Sequence, residues 1–325
     1  PWQGPGRSPV RRRRTFFVSR ILVIRLGALG DFVLSFGPFA AIRAHHAADE
    51  ITLLTTEPFA ELARRSPWFD RVEVDTRPAF WQLGRLRQLR RQLRGFDFVY
   101  DLQTSDRSCA YFRLAGCPPW SGIARGASHP HANPARDRMH TLERQREQLE
   151  MAGIREFPPP DLAWLRHRLA FDLPEPYALL VPGAAPSRPR KRWPAERFGE
   201  VALALAGRGL ASVVAGGAAE APLAEAIRAV CPQACDLTGR TSIADLATLS
   251  SGARLAVGND TGPMHLAAAM GAPCLVLFSG DSDPLLAVPR GPDGARARVL
   301  CRPDLADLPA AEVIAALPEG KASFS

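Results

Sequence analysis

The sequence predicts an α/β protein of two units, each a parallel sheet covered by helices, facing one another across a cleft. Three observations predict it. Short apolar runs alternate with helical stretches, the pattern of buried parallel strands joined by crossovers. The pattern restarts at Tyr177–Val181, after Pro-rich stretches at Phe157–Pro160 and Asp172–Pro176. A Gly- or Pro-bearing loop follows the first strand of each half. Ligands of open parallel sheets sit beyond the carboxyl ends of the strands, so two such halves create one shared site. A length of 325 residues, 46% of them apolar, suits two packed cores, and 8% aromatics makes those cores aliphatic.

The first half opens with Arg20–Leu26, "RILVIRL", a continuous apolar run expected of a buried strand. Gly27–Asp31 forms a turn, and Phe32–Ala44 reads as a helix that Pro38 kinks or interrupts. Ile51–Thr55 is a second strand, Pro58–Arg65 a helix and Val72–Val74 a third strand. Trp81–Leu93 is a basic helix, and Phe98–Leu102 a strand ending at Asp101. Cys117–Pro134 is irregular, with His129 and His131, and His140–Met151 is helical. The second half runs strand Tyr177–Val181, loop Pro182–Pro194, helix Phe198–Gly207, strand Ala211–Ala215 and helix Pro222–Val230. Ser242 caps a helix to Leu249, with Asp245 completing a capping arrangement. Strand Leu255–Val257, turn Asn259–Gly262, helix Met264–Met270 and strand Cys274–Phe278 follow, and Ala310–Leu317 closes the chain as a helix.

The boundaries expected are a disordered tail over 1–19, a first domain over 20–172 and a second over 173–305. A C-terminal helix over 306–325 is expected to return to the first domain. The tail lacks a signal-peptide core, and no run of 18 apolar residues marks a membrane span. Six cysteines form no disulfide framework in a chain this long. Cys231 and Cys235 lack the further ligands a structural zinc needs, Cys274 lies in an apolar core run, and the pattern fits a reducing cytoplasm. The net charge of +8 is clustered at Arg11–Arg14 and at Arg85, Arg87, Arg90, Arg91 and Arg94. The second cluster reads equally as a solvated helix face or as a contact for an anionic partner.

Three segments carry candidate chemistry. Asp31 follows "RLGALG" at a loop-to-helix junction, where it is either an N-cap or a carboxylate aimed into the cleft. The loop is G-x-x-G rather than G-x-G-x-x-G, and no suitable acid follows the second strand, which argues against a nicotinamide or flavin site. "SRPRKRWP", Ser187–Pro194, sets Arg188, Arg190, Lys191 and Arg192 beyond a strand, where cations neutralise a diphosphate leaving group. "NDTGPMHLA", Asn259–Ala267, opens a helix whose free N–H groups suit phosphate, with Thr261, Gly262 and His265 at hand. Asp260 orients a hydroxyl or a basic side chain, or simply caps the helix. Asp281 and Asp283 form D-S-D, which without a further strand context leaves no metal set.

Together these segments resemble glycosyltransferase family 9, which contains the lipopolysaccharide heptosyltransferases. The likeness runs from "ILVIRLGALGDFVLSFGPFAAIR" through "LLVPGAAPSRPRKRWPAERFGEVALALAGRG" to "NDTGPMHLAAAMGAPCLVLFSGDSDP", about residues 20–290. It implies the GT-B fold, two Rossmann-like doubly wound domains facing a central cleft. It also implies an inverting, metal-independent transfer without a cofactor, from a nucleotide-diphosphate sugar, with ADP-heptose as leading donor. The acceptor implied is lipid A/core oligosaccharide or another surface glycan. By resemblance Asp31 is the base and Lys191 contacts the donor phosphates. Ser187, Arg192, Glu220, Asp260, Thr261, Gly262 and His265 fall on the donor side, with Glu220 at the ribose. Gly30, Arg85 and Arg87 fall on the acceptor side. Ser279–Ser282 departs from the family's Gly-Pro-Thr/Ser-Asp-Pro pattern. The setting implied is cytoplasmic, with peripheral contact at the inner membrane and no nucleic acid partner. The competing readings are a GT-B transferase or epimerase using another nucleotide sugar, and a non-catalytic nucleotide-sugar-binding protein.

Overall fold

The computed structural model describes residues 18–79, 81–185 and 187–318, so the Arg11–Arg14 run lies outside the described residues. The first unit holds strands β1 (Arg20–Ile24), β2 (Glu50–Thr55), β3 (Arg71–Val74), β4 (Phe98–Asp101), β5 (Trp120–Gly122) and β6 (His129–Pro130). They form one parallel sheet in the order β3-β2-β1-β4-β5-β6. The second unit holds β7 (Tyr177–Val181), β8 (Ala211–Val214), β9 (Cys235–Asp236), β10 (Ala256–Asn259), β11 (Cys274–Ser279) and β12 (Arg298–Arg302). Its order, β12-β11-β10-β7-β8-β9, is the same winding. Each sheet therefore reverses direction between its first and fourth strands, the place where doubly wound sheets bind ligands.

Helices α1 (Leu29–Leu34), α2 (Phe36–His45), α3 (Glu57–Arg65), α4 (Leu83–Gln92), α5 (Asp106–Ala115) and α6 (Thr141–Met151) cover the first sheet. The helix expected over 32–44 is two helices, broken at Ser35 rather than at Pro38. Pro38 sits in the first turn of α2, where its missing N–H costs nothing. Helix α5 was not expected; a Ser105–Ser108 capping box starts it. Helices α7 (Ala195–Ala206), α8 (Ala221–Val230), α9 (Ile243–Gly252), α10 (Gly262–Ala269), α11 (Pro284–Ala287) and α12 (Ala310–Ala315) belong to the second unit. The expected cap of α9 is present as a full capping box between Ser242 and Asp245.

Over its described part, the closing segment does not return to the first unit. Leu305, Leu308, Val313 and Leu317 are buried in one cluster with Phe198, Val201 and Leu205 of α7. Trp193 fixes the turn before α12 by donating from Nε1 to Leu308 O at 2.8 Å. An apolar stripe on a short helix takes the nearest uncovered face, and that face belongs to α7.

The units touch along one side. A single buried cluster contains Phe32, Phe36 and Phe39 of the first unit and Met264, Leu266 and Met270 of the second. His140 Nε2 meets Val288 O at 3.0 Å, and Arg290 pairs with Glu143 at 2.6 Å. The connector after α6 is pinned to the second unit where His167 Nε2 meets Asp245 Oδ1 at 2.8 Å.

Ser242→Ala removes an N-cap acceptor and is expected to cost about 1 kcal/mol of stability. A denaturation midpoint equal to the parent's would show that the α9 cap contributes nothing.

Candidate functional site

Four strand ends of the first unit converge behind the loop to α1. Leu26 N–H donates to Gln103 Oε1 at 2.8 Å, and Leu26 O accepts from Thr56 Oγ1 and Arg77 Nη2, both at 2.9 Å. The N-cap of α1 is Ala28, so Asp31 is not the cap; it stands in the first turn. Its side chain is 46% exposed and faces Arg25 Nη2 at 3.2 Å. Arg25 is buried, and burial works against its charge while Asp31 and Asp101 support it. Asp101 is also buried, which pushes its carboxyl up to about 6 against the N–H groups of Thr104 and Gln103. Sequence reasoning passed over Arg25; its signal was a lone cation inside an apolar run.

In the second unit, a short turn at Pro189–Lys191 carries Lys191 inward. Lys191 is buried, and its Nζ contacts Asp260 Oδ2 at 2.5 Å, with the two side chains 10% and 9% exposed. Asn259 holds the same loop, accepting from Trp193 N–H at 3.2 Å and donating to Pro182 O at 2.7 Å. Arg192 bonds Ala184 O at 2.9 Å and so braces the loop, while Ser187 stands exposed on it. Thr261 is the N-cap of α10 but makes no side-chain capping bond. Glu220, half-buried after β8, lies against Gly183, Gly216 and Gly217, where the loops after β7 and β8 meet.

The two halves of the site join at glycines. A Cβ on Gly262 would lie 2.9 Å from Gly30 N, and one on Gly30 would lie 2.8 Å from His265 Cδ2. Gly30, expected on the acceptor side, is buried under the His265 ring. His265 is buried with Nδ1 unpartnered, and burial pushes it down to about 4 against the charges of Asp260 and Asp31. Lys191 also bears on it electrostatically, so the structure brings Asp31, Lys191, Asp260 and His265 into one field. Arg85 and Arg87 stand apart, exposed on α4, whose Leu89 is buried against the outer face of the sheet.

A cavity of about 570 Å³ lies on another side of His265, between α1, α2, α6, the connector and α10. Of its three arginines, Arg146 and Arg290 are paired with Glu150 and Glu143, and the third is Arg166. Among the described residues no group of three or more His, Cys, Asp or Glu is arranged to hold a metal. In the D-S-D segment, Asp283 caps α11 by accepting from Leu285 N–H. The arrangement offers a half-open carboxylate on one unit. Opposite it, on the other, stand a buried ammonium and the N-terminal N–H groups of α10, the elements of proton removal and phosphate stabilisation.

Comparison with known proteins gives the chain its relatives. Glycosyltransferase family 9 (heptosyltransferase) matches residues 86–309. Lipopolysaccharide heptosyltransferase 1 of Pseudomonas aeruginosa is 28% identical over 288 residues, 82% of this chain and 79% of that protein. The solved E. coli heptosyltransferase WaaC with ADP has a TM-score of 0.72 at 24% identity, over 90% of this chain and 97% of that one. The E. coli ADP-heptose lps heptosyltransferase II gives 0.71 at 22% identity, over 91% and 97%. The two structural likenesses speak for the fold.

Between pH 6.5 and about 4 the unfolded chain takes up a proton that buried His265 refuses. Its contribution to stability is therefore full above pH 6.5 and is lost as pH falls through that window. His265→Gln is expected to flatten the acid side of the stability profile, read as denaturation midpoint against pH. Equal slopes in both proteins would remove the imidazole from the account.

Proposed function

The chain belongs to glycosyltransferase family 9, the heptosyltransferases, and we propose that it transfers heptose from ADP-heptose to a lipopolysaccharide core sugar with inversion. The observation that carries this reading is the pairing of Asp31, open on one unit, with the buried Lys191–Asp260 pair on the other. Asp31 takes the proton of the acceptor hydroxyl as that oxygen bonds the anomeric carbon. The bond from that carbon to the diphosphate oxygen breaks, and ADP leaves. Attack opposite the leaving group inverts the centre. Lys191 and the N–H groups at Thr261 and Gly262 take up the charge on the departing diphosphate, so the reading is metal-independent. Glu220 fits a ribose hydroxyl, because it lies where the loops after β7 and β8 meet. His265, neutral at physiological pH, fills the junction between the units and supplies a hydrogen-bonding nitrogen.

The lipid-linked acceptor suggests where the enzyme works. Helix α4 follows β3, so its first turn lies on the cleft side of the first sheet. Trp81, just before α4, and Leu83, at its start, are 69% and 63% exposed, and the exposed Arg85, Arg87, Arg90 and Arg91 follow along the helix, with Arg94 just past it. Apolar tips among cations suit the headgroup layer of an anionic membrane. We place the enzyme on the cytoplasmic face of the inner membrane on that ground.

Asp31→Asn is expected to lower transfer by about 10²–10⁴-fold, the usual worth of a general base, while ADP-heptose still raises the melting temperature. Retained transfer would remove Asp31 as base. A different nucleotide sugar stabilising the protein best in the same panel would keep the mechanism and change the donor. Arg85→Glu with Arg87→Glu is expected to weaken co-sedimentation with phosphatidylglycerol vesicles and leave turnover of a soluble acceptor fragment intact. Unchanged sedimentation would sink the membrane face.

A further inference from the structure

Strand β1 hands over to the cleft through an arginine where an apolar residue would be expected. Arg25 is 3% exposed, and its hydrogen bonds are directional. Nη1 donates to Leu102 O at 2.6 Å, just past β4. Nε and Nη2 both donate to Asp31 O, at 3.1 and 2.8 Å, and Nη2 also faces Asp31 Oδ1 at 3.2 Å. The helix break at Ser35 belongs to the same device. Ser35 N–H turns to Phe32 O, and Ser35 Oγ joins Arg25 on the Asp31 carbonyl at 2.9 Å. Gln145 of α6 then donates to Ser35 Oγ at 3.0 Å. One guanidinium thus grips both the backbone and the carboxylate of Asp31 and ties them to β4.

We propose that Arg25 is a positioning residue for glycosyl transfer: it fixes the Asp31 carboxylate toward the acceptor through one oxygen and leaves the rest open to the cleft. The inference rests on Asp31 as the base. A buried arginine is costly unless its charge and donors are met, and a site that only needed to fill space would use an aliphatic side chain. The planar fork matters more than the charge, because lysine offers a point charge that cannot hold carbonyl and carboxylate together. The charged or titratable groups around Asp31 are Arg25 just past β1, Arg144 from α6 and His265 from α10; Arg25 itself also meets Asp101 from β4 and Arg144.

The experiment is a double-mutant cycle on the full chain, with Arg25→Lys, Asp31→Asn and the combination, measured with ADP-heptose and lipid-linked acceptor. Arg25→Lys is expected to lower kcat on the order of 10²-fold, as a misplaced reacting group does, with donor KM and ADP-induced stabilisation unchanged. The double variant is expected to be no slower than Asp31→Asn alone. In Arg25→Gln, which has neither the cation nor the fork, kcat is expected to fall at least as far, again with donor KM unchanged. Wild-type kcat in Arg25→Lys, or losses that multiply fully in the double variant, would overturn the inference and leave the base assignment standing. Retained transfer in Asp31→Asn would overturn both. If neither Arg25 variant folds, Asp31→Glu decides. A carboxylate moved out by one methylene leaves the grip and loses kcat; full activity in that variant overturns the inference.

Discussion

The cleft depends on one close approach. The first turns of α1 and α10, from opposite units, meet so tightly that a methyl group on Gly262 would strike Gly30 N at 2.9 Å. Two consequences follow from that contact. The starts of two helices lie side by side, and the partial positive charge of each favours an anion, as the proposed diphosphate site requires. His265, one turn into α10, is pressed onto Gly30, loses water and stays neutral. The same winding in both sheets makes this possible, because each presents its reversal point, and the helix after it, to the other.

The buried ion pair shows how the second unit uses that setting. An ammonium and a carboxylate that are 10% and 9% exposed pay heavily in lost hydration, and their mutual attraction often does no more than offset it. Such a pair is weak evidence for stability but a good device for holding a cation ready. Asp260 occupies one of the three donors on Lys191 and leaves the others for a ligand. Asn259, one residue earlier, fixes the loop from Pro182 to Trp193 by two bonds, so the lysine approaches from a braced backbone.

Much of this was legible in the residues. The long buried strands announced themselves as apolar runs, and the loops that end β1, β7 and β10 are where Asp31, Lys191 and Asp260–His265 stand. The short strands β5, β6 and β9 span two or three residues each, too few to show any periodicity. Helix α5 begins in a polar Ser-Asp-Arg-Ser stretch whose capping box was not recognised. The stripe on α12 predicted a helix but not its partner, since periodicity says which residues are buried and not against what. Arg25 was hidden for the converse reason: set in "ILVIRL", it read as part of a strand. Only the fold reveals that its partners lie six and 77 residues away. Gly30 read as part of the Gly27–Asp31 turn on the acceptor side, and its burial was hidden because the ring that covers it comes from the other half of the chain.

The two sides of the site differ in exposure, and the difference fits the chemistry proposed for them. Asp31 is 46% exposed at its side chain, while Lys191 and Asp260 are nearly closed off. Charges act more strongly where water is excluded, so a lysine that stabilises a leaving diphosphate gains from burial. A base gains less. It must meet a hydroxyl delivered on a large acceptor, and burial works against a carboxylate's charge, as it does at Asp101, which it pushes up to about 6. An open carboxylate, however, is free to rotate, and a rotating base loses the geometry that proton transfer needs. The positioning role proposed for Arg25 resolves the conflict from behind: Arg25 is buried where Asp31 is not, and it contacts the carboxylate through one oxygen while 46% of the Asp31 side chain stays exposed.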